Sequence, residues 1–234
     1  MNKTNTTNPV LSNETPEMEL GAYTRRNFLT VGGVLLGAGA LGYGACKKDS
    51  SGSGVDLGTG DTGILNYAYA LEQLEAAFYT KVIASPYASI NSEELAMLTD
   101  IRDHEIAHRE FFKAALAGHA IQDLEVDFST INFTSRQSVL ETARAFEDLG
   151  VQAYNGAGHL LISADNLTLA GKVVSVEARH AAYIRDLLQP GSFADTTIIE
   201  PVKRADYAKT PAEVLAIAGK YIKTKINANN LPTS

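Results

Sequence analysis

Residues 101–112, IRDHEIAHREFF, decide the fold of this 234-residue chain. Glu105 and His108 lie three positions apart, so on a helix their side chains share one face. The surrounding residues make that face a bundle seam, because core positions recur at steps of three and four. These positions are Leu98, Ile101, Glu105, His108, Phe112 and Ala115. A carboxylate buried there is costly unless a partner such as a bound cation offsets its charge.

The same motif occurs a second time further along the chain. Glu177 and His180 repeat the E-x-x-H spacing in the same phase of a core stripe. Two other predicted helices each carry a lone core glutamate followed seven residues later by a tyrosine. These pairs are Glu72 with Tyr79 and Glu147 with Tyr154. The chain is therefore two copies of one helical hairpin, and it carries the ligand set of the di-iron and di-manganese carboxylate bundles.

The connections between the helices predict their arrangement. The predicted helices span about residues 61–84, 92–118, 135–163 and 167–189. Thr62 and Ser92 are candidate N-caps of the first two. Short turns make helices one and two, and helices three and four, antiparallel neighbours. The segment 119–134 can span roughly 50 Å, which exceeds the length of a helix of about 25 residues, about 38 Å. The prediction is an all-α four-helix bundle with a long crossover between helices 2 and 3.

The predicted bundle domain covers residues 61–189, and residues 190–234 form a C-terminal extension. Within the extension Thr210–Glu213, TPAE, is a capping box with proline at the first helical position. A fifth helix is expected from there to about Ile226, packed on the bundle through its apolar residues. The last residues, 227–234, are expected to fray.

Residues 1–46 are predicted to be an export signal. The sequence TRRNFLT resembles the twin-arginine export motif through Arg25 and Arg26, with Thr30 where that motif usually has lysine. The apolar run 29–45 is short for a membrane-spanning helix, which needs about 20 residues, but suits a signal sequence. Since the twin-arginine route carries folded proteins, the export machinery is an expected partner and a metal could be loaded before export.

The apolar run ends at residues 44–46, GAC, which resemble a lipobox and make Cys46 a candidate for lipidation. Residues 47–60 would then be a flexible linker reaching roughly 20 Å. Two alternatives remain open: an uncleaved N-terminal membrane anchor, or a soluble export signal cut near Ala38 and Ala40. The predicted location is the periplasm or cell envelope, on a lipid anchor to a membrane.

Composition excludes several classes of protein. The formal net charge is -7, from 20 basic and 27 acidic residues, and no basic patch indicates nucleic-acid binding. Cys46 is the only cysteine, so an intramolecular disulfide framework is excluded.

The sequence resembles the ferritin-like superfamily, and within it the exported branch of ferritin-like or desiccation-related proteins. The first helix matches the pattern shared with bacterioferritins at Leu65, Asn66, Glu72 and Tyr79. The other three match at Glu105 with His108, Glu147 with Gly150, and Glu177 with His180. The resemblance covers about residues 61–188. The long linker to the fifth helix departs from cage ferritins, and one cysteine excludes a rubredoxin-like electron-transfer module.

The resemblance implies a centre of two iron ions, or alternatively two manganese ions. We assign Glu105 and Glu177 as bridging ligands. Glu72 and Glu147 are terminal ligands, and His108 and His180 supply one nitrogen to each metal. Four carboxylates roughly neutralise two divalent cations, and oxygen-rich donors suit iron or manganese. The expected reactions are Fe(II) oxidation, peroxide reduction or peroxide dismutation, with dioxygen or peroxide as the other reactant.

The residues around this centre leave alternatives open. Glu75 is an extra ligand, a partner of a ligand, or a gate to solvent. Tyr79 and Tyr154 are either core aromatics or hydrogen-bond partners of the ligands. His104 is off the seam and expected to be exposed. The alternative function is a metal-free, lipid-tethered interaction or stress-protective bundle; a homodimer is one possibility for the oligomeric state.

Overall fold

The computed structural model describes residues 54–233, which contain five α-helices. They are α1 (Gly60–Ala84), α2 (Ser92–Leu116), α3 (Arg136–Ala157), α4 (Ala164–Leu188) and α5 (Pro211–Ala218). The predicted all-α fold is confirmed. The expected export signal and Cys46 lie outside the described residues. None of the described helices is both long and apolar enough to cross a membrane.

The four long helices form two hairpins joined by the predicted crossover. Helices α1 and α2 pack along each other, as do α3 and α4, and a short turn joins the members of each pair. Between α2 and α3 the chain makes one 3-10 turn, Ala117–His119, and then runs without helix to α3. The short, long, short order of connections is therefore the one that the sequence predicts.

Buried amides hold the crossover against the bundle. The side-chain amide of Asn66 donates to the carbonyls of Leu57 and His119, both at 3.0 Å, and accepts from the backbone N–H of Ile121 at 2.9 Å. Further along the crossover, the side-chain oxygen Oε1 of Gln73 accepts a hydrogen bond from the backbone N–H of Leu124 at 2.7 Å. These bonds satisfy backbone groups that irregular structure would otherwise leave unpaired.

Two predicted N-caps are wrong, although the helices themselves begin within one residue of the predicted positions. Asn91, not Ser92, caps α2, because its side-chain oxygen lies one position earlier and accepts from the backbone N–H of Glu94 at 2.8 Å. Helix α1 begins at Gly60 after Thr59, so Thr62 lies inside the helix and does not cap it.

The ends of α3 and α5 also differ from the sequence prediction. Helix α3 ends at Ala157 and tightens into the 3-10 turn Gly158–Leu160, earlier than expected. The capping box at Thr210 and Glu213 is present, yet α5 ends at Ala218 rather than near Ile226. After a 3-10 turn, Ile222 instead forms an antiparallel bridge with Val126 of the crossover.

Short strands tie both ends of the described chain to the bundle. Strand β1 (Val55–Asp56) pairs in parallel with β4 (Ile226–Asn227), and β2 (Ile199–Glu200) pairs antiparallel with β3 (Ala205–Asp206). The expected flexible linker is therefore part of the fold from residue 54 onward. Likewise the expected fraying after 227 is wrong as far as Leu231, which is 8% exposed.

Candidate metal centre

The six predicted ligands meet in the middle of the bundle. They are Glu72 on α1, Glu105 and His108 on α2, Glu147 on α3, and Glu177 and His180 on α4. All four carboxylate residues are 0% exposed. The seam spacing explains this placement, because each residue takes a core position on its own helix.

These residues form two overlapping groups that could each hold one metal ion. In each group, one ligand atom from each of four residues lies within 4.8 Å of the others. The first half-site contains Glu72 and His108, and the second half-site contains Glu147 and His180. Glu105 and Glu177 belong to both groups. The arrangement is thus two adjacent positions that share two carboxylates.

Both imidazoles direct the same ring nitrogen at the carboxylates. His108 Nδ1 lies 2.8 Å from Glu177 Oε1 and 3.4 Å from Glu72 Oε2. His180 Nδ1 lies 2.8 Å from Glu105 Oε1 and 3.5 Å from Glu147 Oε2. Each histidine therefore faces the shared carboxylate of the opposite E-x-x-H helix and the lone carboxylate of its own half-site.

The donor atoms are those that a cation pair requires. Eight buried atoms of the six residues make no hydrogen bond: Glu72 Oε2, both oxygens of Glu105, His108 Nδ1, Glu147 Oε2, both oxygens of Glu177 and His180 Nδ1. Buried polar atoms are normally paired, and each unpaired one costs about 1–3 kcal/mol. Carboxylate oxygen with one imidazole nitrogen per position suits iron or manganese. The residues present fit a metal pair.

The two tyrosines are hydrogen-bond partners of the lone glutamates, which decides between the two alternatives. Tyr79 on α1 donates to Glu147 Oε1 on α3 at 2.5 Å, and Tyr154 on α3 donates to Glu72 Oε1 on α1. Each glutamate keeps its other oxygen for the centre. Such bonds orient a metal-ligating carboxylate and stabilise its charge.

Glu75 is buried beside the centre, in a space that a glycine leaves. It belongs to neither group of potential ligands. A Cβ added at Gly150 would lie 3.2 Å from Glu75 Oε1, so the carboxyl group occupies the room left by the missing side chain. Burial and the charge of Glu105 raise the pKa of Glu75 well above its usual value.

His104 contacts His180, which the sequence did not predict. The residue is exposed as expected, but its Nδ1 lies 2.9 Å from His180 Nε2, and the two rings stack with centroids 5.2 Å apart. His104 therefore holds the outer nitrogen of His180, leaving Nδ1 directed at the carboxylates. Its position next to Glu105 is the only local signal, because the contact depends on how closely α2 approaches α4.

The crowded charges alter proton affinities throughout the centre. Burial raises the pKa of Glu105, and the charge of Glu177 adds to the rise. Burial also raises the pKa of Glu147, to about 7, although His180 and Tyr79 act in the opposite direction. For His180 burial lowers the pKa, but the carboxylates of Glu105, Glu147 and Glu177 outweigh it and raise the value to about 12. A metal would displace protons held here.

Comparison with protein-family profiles identifies a family that matches the chain. A sequence profile of the family described as "Ferritin-like domain" matches residues 60–190, more than half of the chain. That range begins with α1 and ends just after α4. No curated protein matches the chain.

Proposed function

The chain belongs to the ferritin-like domain family, and we propose that it is an exported redox protein with a di-iron or di-manganese centre. The observation that supports this best is the convergence of eight buried, unpaired donor atoms in two overlapping groups. A bundle without metal would leave four buried carboxylates with only two imidazoles to offset their charge.

In the proposed centre Glu105 and Glu177, which belong to both groups, would be the shared ligands of the two metals. Glu72 and Glu147 would each be a ligand of one metal, and His108 and His180 would each offer Nδ1 to one metal. Four carboxylates offset the charge of two divalent ions. When bound, such a pair supplies two electrons to dioxygen or peroxide.

The protein itself excludes water and fixes the ligands. The four carboxylate residues are fully buried, so ordered protein groups rather than solvent set their orientation. Tyr79 and Tyr154 hold one oxygen of each lone glutamate, and His104 holds His180. This preorganisation favours a defined metal geometry over a loosely bound ion.

Export and anchoring are further parts of the proposal. They are supported by Arg25 and Arg26 in a twin-arginine-like motif and by Cys46 in a lipobox-like one. A twin-arginine route would deliver the protein folded, with its metal already bound. Cleavage and acylation at Cys46 would place the bundle on a membrane facing the periplasm or cell envelope.

Elemental analysis of the purified chain tests the centre. Protein from cells supplied with iron and manganese is expected to carry about two of these ions per chain. The double variant Glu105→Ala, His180→Ala should lose them, whereas Glu110→Ala, at an exposed position of α2, should not. Two metals retained in the double variant would overturn the assignment. A folded wild type without metal would favour the interaction bundle.

Turnover then separates the reactions. Loaded protein is mixed with Fe(II) and dioxygen, or with hydrogen peroxide in the presence and absence of a reductant. Fe(II) consumption indicates a ferroxidase, peroxide consumption with reductant a peroxidase, and oxygen release from peroxide a catalase-like reaction. A metal-loaded protein inactive in all three would refute the redox part of the proposal.

A further inference from the structure

The tip of the α3–α4 hairpin, residues 161–169, presents apolar side chains to solvent. Ile162 is 89% exposed, the highest value for a large apolar side chain in the described part of the chain, and Leu167 is 48% exposed. Leu161 and Leu169 beside them are half-buried. Single exposed apolar residues scattered over a surface are ordinary, but neighbouring ones indicate a contact surface.

The start of α1 holds this tip in place. One carboxylate oxygen of Asp61 accepts a hydrogen bond from the backbone N–H of Ile162 at 2.7 Å. The other oxygen accepts from the backbone N–H of Ser163 at 3.0 Å and from the side-chain amide of Asn166 at 2.8 Å. Because one carboxylate fixes both the turn and the first turn of α4, an ordered backbone presents the apolar side chains.

The polypeptide enters the described fold at this same end of the bundle. Helix α1 begins at Gly60, and the carbonyl of Leu57 accepts a hydrogen bond from the side chain of Asn66 at 3.0 Å. The first described residue is Gly54, eight positions after the candidate lipidation site Cys46. Eight residues span at most about 28 Å. A lipid on Cys46 would therefore keep this end of the bundle close to the membrane.

The composition of the hairpin tip favours a lipid bilayer over a protein as its partner. A stable protein interface takes about 20–30 residues from each side, far more than the four side chains of the tip. Asp165 is the only charged residue in the segment 160–171, so the tip offers no positive charge to lipid headgroups. Its contact with lipid would depend on apolar side chains entering the boundary between headgroups and acyl chains.

We propose that the hairpin tip is the membrane-facing surface of the bundle, with Ile162 and Leu167 in contact with lipid. The starts of α1 and α4 then lie toward the bilayer, and the start of α2, at the other end of α1, lies away from it. That a membrane lies beside the tip in the cell rests on the anchoring part of the proposed function. The affinity of a tethered tip for lipid does not.

Single tryptophans test the contact, because the chain has no tryptophan and Cys46 is its only cysteine. The full chain is coupled through Cys46 to phosphatidylcholine vesicles that contain a maleimide lipid and brominated acyl chains, which quench nearby tryptophan. Ile162→Trp is expected to lose emission about twofold and to shift to the blue. Met97→Trp, at an exposed apolar position near the start of α2, is the matched control and should keep its emission.

A second substitution checks that the apolar tip causes the quenching. Ile162→Trp combined with Leu167→Asp should lose most of it, because a charge at the tip opposes entry into lipid. Absent quenching at position 162, or equal quenching at positions 162 and 97, would overturn the proposal. So would a dimer of the untethered chain that Leu167→Asp abolishes, since the tip would then bind a second copy. Metal content equal to that of the wild type verifies that each variant is folded.

Cell fractionation separates failure of the anchor from failure of the contact. A wild-type chain found only in the soluble fraction would refute the proposed anchoring, whereas quenching at position 162 in the chemically tethered chain would still support the tip as a lipid-binding surface. A chain that fractionates with membranes but shows no quenching at the tip would overturn the contact and leave the anchoring intact.

Discussion

The two half-sites of the centre have the same ligands but different surroundings. The side chain of His108 is 13% exposed and that of His180 is 5% exposed. Only His180 has its outer nitrogen held by a second histidine among the described contacts. An apolar cavity whose walls include Leu71 and Tyr154 adjoins the half-site of Glu72. An internal repeat thus duplicates the ligands, while tertiary packing gives the two halves different surroundings.

The two copies of the repeat also carry different residues at the position three after the lone glutamate. Glu75 follows Glu72 at that spacing, and Gly150 follows Glu147. The carboxyl group of Glu75 lies where a side chain at 150 would be. A fifth buried carboxyl group is therefore accommodated only because the two copies of the repeat differ at this position.

The largest expected effect is a difference in metal content between variants that remove a shared ligand and variants that remove a ligand of only one half-site. Glu177→Gln removes a carboxylate common to both groups, so metal content should fall from about two ions to near zero. Glu147→Gln affects one group, so about one ion should remain in the first half-site. Elemental analysis and metal titration provide the measurement. Equal losses in the two variants would contradict the division into half-sites.

The second prediction concerns the pH dependence of the metal-free protein. The pKa of Glu147 is about 7 in the folded state against 4.5 for an unperturbed glutamate, so the folded state binds the extra proton between these values. Stability should therefore fall as pH rises from about 4.5 to 7, by an amount on the order of 3 kcal/mol for this residue. The raised pKa of His180 extends the loss above pH 6.5 toward 12, with the same sign.

Urea unfolding of metal-free protein from pH 5 to pH 9 measures this slope. Glu147→Gln cannot ionise and should flatten the lower part of the profile, whereas Glu141→Gln, exposed on the same helix, should leave it unchanged. Metal-loaded protein should also show a flatter profile, because bound cations replace the protons. A metal-free wild type that gains stability over this range would contradict the predicted sign.

The third prediction tests the asymmetry around the histidines. His104→Phe keeps a ring to stack on His180 but removes the nitrogen that holds Nε2. Affinity at the second half-site should fall about tenfold, with the first half-site unchanged. His159→Phe, at an exposed position, is the control. Two-site metal titration reports the result, and equal weakening of both sites would indicate a general structural effect instead.

The smallest expected effect concerns the glycine beside Glu75. Gly150→Ala places a Cβ 3.2 Å from Glu75 Oε1, which the carboxyl group can relieve only by shifting. A loss of stability of about 1 kcal/mol is expected from this crowding. The double variant Gly150→Ala, Glu75→Ala removes the clash and provides the test in a denaturation cycle. Additive effects of the two substitutions would show that the contact does not matter.

Local periodicity explains why so much of the site is readable from sequence. Glu105 with His108 and Glu177 with His180 are three residues apart, and any helix places such pairs on one face. The strands at the two ends have no comparable signal. Val55 pairs with Ile226 across the whole length of the described chain, and two-residue strands carry no period. The expected linker and frayed end were therefore wrong where distant segments pair.

By itself the sequence determined the helices, their short and long connections, and the six residues that converge at the centre, because each depends on spacing along one helix or on chain length. Only the tertiary structure decided that Tyr79 and Tyr154 bond to glutamates on the opposite helix, that His104 reaches His180, and that an apolar cavity adjoins one half-site. Such features depend on the distance and rotation between helices, which the packing of the whole core sets and no local pattern encodes.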